Sequence, residues 1–532
     1  MHRSRLPGAI RATLLAAAIA GLGLATAAEA ASPAKAKVIV AFKPGSQAAA
    51  RAAINGAGGR VVSDLSEANA LAAEVPSSAL AALRRNSSIE FVEDDPIRRP
   101  LGYAAPKAKR RINSDPGTPE TSPYGIAMVE ANKLSDASAT IRKVCIIDSG
   151  VDGSHEDLQG IPMDGVNLTS SGDWNTDENS HGTHVAGTIA AVDNAVGVVG
   201  VLPHQQINLF IAKVFEATGG AASSTVARAM LKCMLARSHV VSMSLGGDRA
   251  SRIEQRVVDM LEKRGILMIA AAGNEGVTAP GATSYPAGFA NVVSVAAVDS
   301  KKAVASFSQF NTDVELAAPG VGVLSTVPIG SQTAATVTAG GTPFPAVPME
   351  GSPRASATGP LADFGLGQPA AAGSMASKVC LISRGEISFA EKVLNCQNAG
   401  GVGAIVYNNV PDEPVNGTLG ETVTTIPSVG TTQADGETMK ATKLGQSTTV
   451  AVFGTNDAYA FYDGTSMATP HVSGVAALVW SYFPHCTASE IRSSLNKHAE
   501  DLGDAGRDIH YGWGLVQAKK THDAINTLGC GN

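Results

Sequence analysis

The chain has 532 residues, 44% of them apolar and 17% charged, with a formal net charge of −6. That length holds about three to four domains of roughly 150 residues each, and the apolar share excludes a disordered chain. No basic surplus remains, so nucleic acid is excluded as an expected partner.

Residues 1–30 read as a secretory signal: Arg3, Arg5 and Arg11 open it, residues 14–27 are small and apolar, and Ala28-Glu29-Ala30 is an A-x-A cleavage site. No later run reaches the ~18 apolar residues of a membrane span. The protein is therefore expected to be exported without an anchor, to the medium or to a periplasm. Six cysteines then permit three disulfides. Cys380 can pair with Cys396 and Cys486 with Cys530, each within its own segment. For Cys145 and Cys233 a bridge and two buried thiols both remain open.

Next comes a small unit, residues 36–98. It reads as strand 37–42, helix 47–55, strands 59–62 and 70–75, helix 77–85 and strand 89–93, the split β-α-β order of a ferredoxin-like α+β fold. A Pro-, Gly- and Ser-containing linker, 100–119, carries the basic run Lys107-Ala-Lys109-Arg110-Arg111 and is an accessible place for cleavage. From about Glu120, strands at 143–147, 207–214, 240–244, 266–271 and 292–298 alternate with helical stretches. Strands so uniformly apolar are covered on both faces, which predicts a parallel α/β sheet. The pattern breaks after Thr326. Residues 330–456, rich in Gly, Thr and Ala, contain a strand near 379–383, a helix from Phe389, a glycine turn and an apolar strand at 403–407, a mixed α/β insert. The first pattern resumes at Tyr462, with a helix from Ser466 to about Tyr482.

Three segments carry the chemistry: Val144-Cys-Ile-Ile-Asp148-Ser-Gly, Ser180-His181-Gly-Thr-His184-Val-Ala-Gly and Gly464-Thr-Ser466-Met-Ala-Thr-Pro470-His. They offer a carboxylate after an apolar strand, an imidazole opening a helix and a hydroxyl opening another. A serine hydroxyl is a weak nucleophile alone, so His181 is expected to take its proton and Asp148 to orient and stabilise the imidazolium. The helix behind Ser466 offers unpaired N–H groups to a developing oxyanion. Pro470 is expected in that helix's first turn, where a missing N–H costs least. Singly, these residues would more often be a cap, a core histidine and a turn aspartate; together they make an acyl-transfer site. The order Asp, His, Ser with these neighbours resembles the subtilisin-like serine proteases.

That resemblance implies a parallel-sheet, subtilisin-like catalytic domain with Asn274, in Gly273-Asn274-Glu-Gly, donating its amide to the oxyanion. It implies that Ser244, Leu245 and Gly246 form a substrate strand and one wall of the P1 pocket, with Ala271, Ala272 and Gly273 as the other. Gly219-Gly220-Ala221 would be the edge strand for upstream substrate residues. Small residues on these walls suggest a roomy, apolar P1 site. His184 would be structural, and His155, His471, Asp173, Asp177 and Glu178 surface or cap residues. A calcium site is implied by the loop Val192, Asn194, Val196 and Val198, with Asp157 and with Glu120 where the family uses glutamine. Carboxylates, an amide oxygen and carbonyls suit calcium; a surface turn without an ion is the alternative. Residues 36–98 look like the inhibitory, chaperoning propeptide of such zymogens, whose C-terminal end lies in the cleft. The insert resembles a protease-associated (PA) domain, for substrate capture, restricted access or structure alone.

The expected units are signal 1–30, propeptide and linker 31–111, catalytic domain 112–329 and 458–532, and PA insert 330–457. The expected function is a secreted, self-processed serine endopeptidase. Its partners would be protein and peptide substrates and its own propeptide, with no nucleic acid, no membrane and a monomeric state. The rival readings are a protein-binding pseudoprotease that lost catalysis and a narrow-specificity processing protease or ligase.

Overall fold

The computed structural model describes residues 34–104, 115–217, 219–411, 414–415, 417–420 and 422–532. The signal segment 1–30 and the basic run 107–111 lie outside the described residues. Strands β1 (Lys35–Phe42), β2 (Arg60–Leu65), β3 (Ala70–Pro76) and β4 (Ile89–Asp94) pair antiparallel in the order β2-β3-β1-β4. Helices α1 (Gln47–Gly56) and α2 (Leu80–Arg84) complete the expected ferredoxin-like unit. The anticipated linker does not begin at Pro100. Instead β5 (Ile97–Pro100) and β6 (Tyr103–Ala104) continue the chain as paired strands.

The main body carries, in chain order, α3 (Tyr124–Met128), β7 (Lys143–Asp148), β8 (Met163–Asn167), α4 (His181–Ala190), β9 (Asn208–Lys213), β10 (Ala221–Ala222) and α5 (Ser223–Leu235). It continues with β11 (Val240–Met243), β12 (Leu245–Gly246), α6 (Arg252–Lys263), β13 (Leu267–Ala271), β14 (Val292–Val298), β15 (Val314–Pro319) and β16 (Val323–Thr326). Seven strands form a parallel sheet in the order β15-β14-β13-β11-β7-β9-β8.

The two-residue period of a strand sorts this sheet's side chains into two cores. Val144 and Ile146 of β7 pack with Val185 and Ile189 of α4. Cys145 and Ile147 face the other way, into a core with Val226 and Met230 of α5 and Val257 of α6. Ile39 and Ala41 of β1 join that second core, so one face of the N-terminal unit is a continuation of it. Val38, Val40 and Phe42, of opposite parity, pack under α1 and α2.

The insert holds β17 (Thr333–Ala339), β18 (Thr342–Phe344), β19 (Val347–Pro348), β20 (Ala355–Asp363), β21 (Val379–Ser383), α7 (Phe389–Asn398), β22 (Gly403–Tyr407), β23 (Ser428–Thr431), α8 (Gln433–Thr442) and β24 (Ser447–Gly454). Its eight strands form one sheet, β18-β17-β24-β20-β21-β22-β23-β19. It leaves the body between β16 and β25 (Tyr459–Asp463), which pair antiparallel. Helices α9 (Thr465–Tyr482), α10 (Ala488–Lys497) and α11 (Ala518–Leu528) finish the chain. All three disulfides are formed, including Cys145–Cys233, which ties β7 to α5 and settles the pair left open above. Among the described residues no helix is long and apolar enough to cross a membrane.

Candidate active site

Asp148 is the last residue of β7 and has the parity of Val144 and Ile146, so its carboxylate turns toward the face covered by α4. His181 is the first residue of α4. Its Nδ1 donates to Asp148 Oδ1 at 2.8 Å, and Ser149 N donates to the same oxygen at 2.8 Å. Both side chains are buried. Asp177 fixes where the helix starts, accepting from Ser180 N at 2.9 Å and from Thr183 N at 2.8 Å. Burial pulls the His181 imidazole down. The Asp148 charge and hydrogen bond, helped by Asp177 and by Glu350 of the insert, more than offset this and hold it above its ordinary value.

Ser466 is the second residue of α9, whose first N–H groups have no side chain on the N-cap to receive them. They are used by the site instead: Thr465 N donates to Asn274 Oδ1 at 2.9 Å and Ser466 N to the Leu101 carbonyl at 3.1 Å. Holding Asn274 by its oxygen aims its Nδ2 at the same Leu101 carbonyl, 2.6 Å away. One backbone oxygen thus sits between two donors at oxyanion-hole distances. The Ser466 hydroxyl donates to Ser244 O at 2.7 Å and accepts from Leu101 N at 2.9 Å. His181 Nε2 has no hydrogen-bond partner, so the expected serine–histidine bond is not made in this arrangement.

Pro470 is not in the first turn. It is the sixth helical residue, and the carbonyl it leaves without an N–H partner is that of Ser466. Ser244 Oγ donates to this carbonyl at 2.8 Å, so a side chain from the segment between β11 and β12 makes good the missing bond.

The cleft is filled by the chain's own β5. It lies between β10 and β12, antiparallel to both, with Arg98 opposite Ala221 and Pro100 opposite Leu245. Leu101 N also donates to Ser244 O at 3.2 Å. Beyond Leu101 the chain passes His181: a methyl group on Gly102 would come within 3.0 Å of Nε2. β6 then pairs with β25. Two glycines permit these approaches. A methyl group on Gly464 would lie 2.3 Å from the Leu101 carbonyl, and one on Gly246 would lie 2.7 Å from Leu101 Cδ1. Glu93 and Asp95, just upstream, accept from the first-turn N–H groups of α6 and α5, at Ile253 N (3.0 Å) and Ser224 N (2.9 Å). Carboxylates there meet the positive ends of both helix dipoles.

The expected substrate residues divide. Ser244, Leu245 and Gly246 contact β5 and Leu101 as anticipated. Of the expected edge strand Gly219-Gly220-Ala221, Ala221 pairs with Arg98, and the pairing runs on to Ala222 opposite Ile97. Gly219 has a φ of 91°, a turn conformation that cannot pair as a strand, while Gly220 abuts Ile97 and the Arg98 carbonyl. Ala271 ends β13 paired with Val295, and Ala272 is buried in the core. Gly273 borders Ser284, and Ser284 approaches Gly246 beside Leu101, a wall that the sequence reading missed.

His184 is buried, its Nε2 within 3.1 Å of the Val323 and Ala460 carbonyls and its ring stacked on Tyr462. Burial lowers it to about 3, which suits a neutral tie between α4 and the β16–β25 pair. His155 and His471 are also buried, not on the surface, held by the Ala458 and Met467 carbonyls at 2.8 Å. Asp177 is a buried cap.

The six residues of the anticipated calcium loop converge. Asp157 accepts from Asn194 Nδ2 at 3.2 Å and from Val198 N at 2.7 Å, and Val192 N donates to the Asp157 carbonyl at 2.9 Å. Glu120 Oε2 accepts from Asn194 N at 2.9 Å, and Val196 N donates to Asn194 Oδ1 at 3.0 Å. Asp157 is fully buried, has no cationic side chain among these partners, and is raised by burial to about 6. The Asp157 carboxylate meets N–H donors in this arrangement, while the loop brings two carboxylates, the Asn194 amide oxygen and main-chain carbonyls together, donor types that fit a divalent cation of the calcium type.

The model of the Subtilase family matches residues 141–343 and 416–514. The PA domain model matches 355–439 and that of the fervidolysin N-terminal prodomain matches 21–94. Subtilisin E of Bacillus subtilis (strain 168) is 35% identical over 314 residues, 58% of this chain and 77% of that protein. Subtilisin DY of Bacillus licheniformis is 40% identical over 218 residues, 40% of this chain and 78% of that protein. Among solved structures, the psychrophilic subtilisin-like protease Apa1 of Pseudoalteromonas sp. AS-11 is 42% identical with a TM-score of 0.53, covering 77% of this chain and 99% of that one. Fervidolysin of Fervidobacterium pennivorans, 22% identical with a TM-score of 0.58, covers 92% of this chain and 61% of its own, a likeness of fold.

Proposed function

We propose, on the premise that this chain belongs to the subtilase family and is a serine endopeptidase, that it is a secreted enzyme made as a precursor that cuts itself between Leu101 and Gly102. The observation that carries this reading is the Leu101 carbonyl between Asn274 Nδ2 and Ser466 N, at 2.6 and 3.1 Å. Ser466 Oγ, turned about its Cα–Cβ bond, gives its proton to His181 Nε2 and attacks that carbonyl. Asn274 Nδ2 and Ser466 N–H hold the oxyanion, and Asp148 holds the imidazolium. Collapse breaks the Leu101–Gly102 bond, and His181 passes its proton to the leaving amine of Gly102. Water, deprotonated by His181, then hydrolyses the acyl-enzyme.

Other substrates would lie along β10 and β12 as β5 does, through backbone bonds that suit varied peptides. The units would be signal 1–30, propeptide and linker 31–111, with the cut inside that unit at Leu101–Gly102, catalytic domain 112–329 and 458–532, and PA insert 330–457. The insert meets the body beside β25, which supports a role in admitting substrate to the downstream side of the cleft. Glu120, Asp157 and Asn194, with the carbonyls of Val192, Val196 and Val198, would hold a calcium ion that braces this loop; the ion takes no part in the chemistry. The test is an organofluorophosphonate: it should label Ser466 of the matured protein and abolish casein cleavage, whereas an unlabelled protein would be a binder and not a protease.

A further inference from the structure

The fourth residue upstream of the Leu101–Gly102 bond is Arg98, counting Leu101, Pro100, Arg99 and Arg98. Its side chain is wholly buried although it carries a charge. It enters a hollow of the catalytic body where Glu254, equally buried, meets it with both oxygens. Arg98 Nε donates to Glu254 Oε1 at 3.1 Å and Nη2 to Oε2 at 2.6 Å. Nη2 donates further to the Arg249 carbonyl at 2.9 Å. Neighbouring Ile97 and Arg99 are exposed, so the burial is selective for one side chain. Two parallel N–H···O bonds in a desolvated site match the planar guanidinium, and an ammonium cannot reproduce them.

Glu254 sits in the first turn of α6, with its N–H on Ser251 Oγ at 3.2 Å. Its position is therefore set by the catalytic domain and remains when β5 departs. Leaving such a carboxylate buried and unpartnered is costly, so the same hollow must prefer an incoming cation to an apolar group.

We infer that Glu254 forms a subsite selecting arginine at the fourth residue before the cleaved bond, so that peptides of the pattern Arg-x-x-aliphatic are the preferred substrates in trans. This rests on the proteolytic reading above. The test uses the matured enzyme and three peptide p-nitroanilides ending in Pro-Leu that differ only at the fourth position: arginine, citrulline and norleucine. The arginine peptide should exceed both others in kcat/KM by about 30-fold or more, the scale of a buried, hydrogen-bonded charge pair. Glu254→Gln should reduce that ratio to below about threefold. If this variant fails to mature, the wild-type ratio decides alone. Equal rates on the three peptides overturn the subsite and leave the protease intact. No cleavage of any peptide, with Ser466 unlabelled, overturns the reading on which the subsite rests.

Discussion

Two buried carboxylates bracket the cleft, and their partners differ in kind. Asp148 meets His181 within one folded body, on a strand end and a helix start that never separate. Glu254 meets Arg98, which belongs to a segment that would leave the cleft on the self-cleavage proposed above. The first pair is permanent preorganisation, with its electrostatic cost met once at folding. On the proposed reading the second would have to be remade by every ligand, and so would discriminate among them. The same chemistry, a carboxylate beside a planar cationic group, serves catalysis where the partner is fixed and selection where it is exchanged.

Removing the nucleophile acts on the permanent side and should have the largest effect. Ser466→Ala is expected to lower kcat about a million-fold, a scale taken from the corresponding serine of a subtilisin, and to leave the precursor whole on a denaturing gel. Asp148→Asn should cost about 10⁴-fold in kcat, again a triad value from serine proteases. It should also move the pH profile. Burial alone depresses His181 and Asp148 outweighs it, so the wild-type acid limb of kcat/KM falls above the ordinary histidine value and activity is lost as pH drops through it. In the asparagine variant that midpoint should shift to lower pH; an unchanged midpoint would mean Asp148 does not set the imidazole.

In the uncut precursor, breaking the exchangeable pair should show in stability. In a Ser466→Ala precursor, Arg98→Met leaves Glu254 buried alone and should cost about 3–5 kcal/mol in urea unfolding, while the double change Arg98→Met, Glu254→Met should recover most of it. Full additivity of the two changes would deny the coupling. Asn274→Ala should lower kcat by about 10²–10³ with KM little changed. The smallest effect concerns the loop far from both pairs: EDTA should shorten the half-life of thermal inactivation, and an unchanged half-life would remove the calcium assignment.

What could be read from the sequence was whatever is written locally. The parallel sheet followed from apolar runs such as 143–147, and the three residues proposed as the triad stand in three dense motifs. The ferredoxin-like unit followed from alternating short elements. What escaped depends on pairings remote in sequence. Glu254, in the first turn of an amphipathic helix, reads as an ordinary dipole complement until Arg98 is brought against it from 156 positions away. Pro470 reads as a first-turn proline because the sequence does not reveal that Ser244 Oγ takes over the Ser466 carbonyl. Of the expected edge strand Gly219-Gly220-Ala221, Gly219 stands outside the pairing on a positive φ, and Ala221 carries it on to Ala222. His155 and His471 carry no sequence sign of burial, since their partners are backbone carbonyls.

The most direct test is the intact mass of the first products released when purified precursor matures in the absence of any other protease. Fragments ending at Leu101 and beginning at Gly102, absent from the Ser466→Ala precursor, are the predicted result. A first cut at another bond, or equal maturation of the alanine variant, would contradict the account.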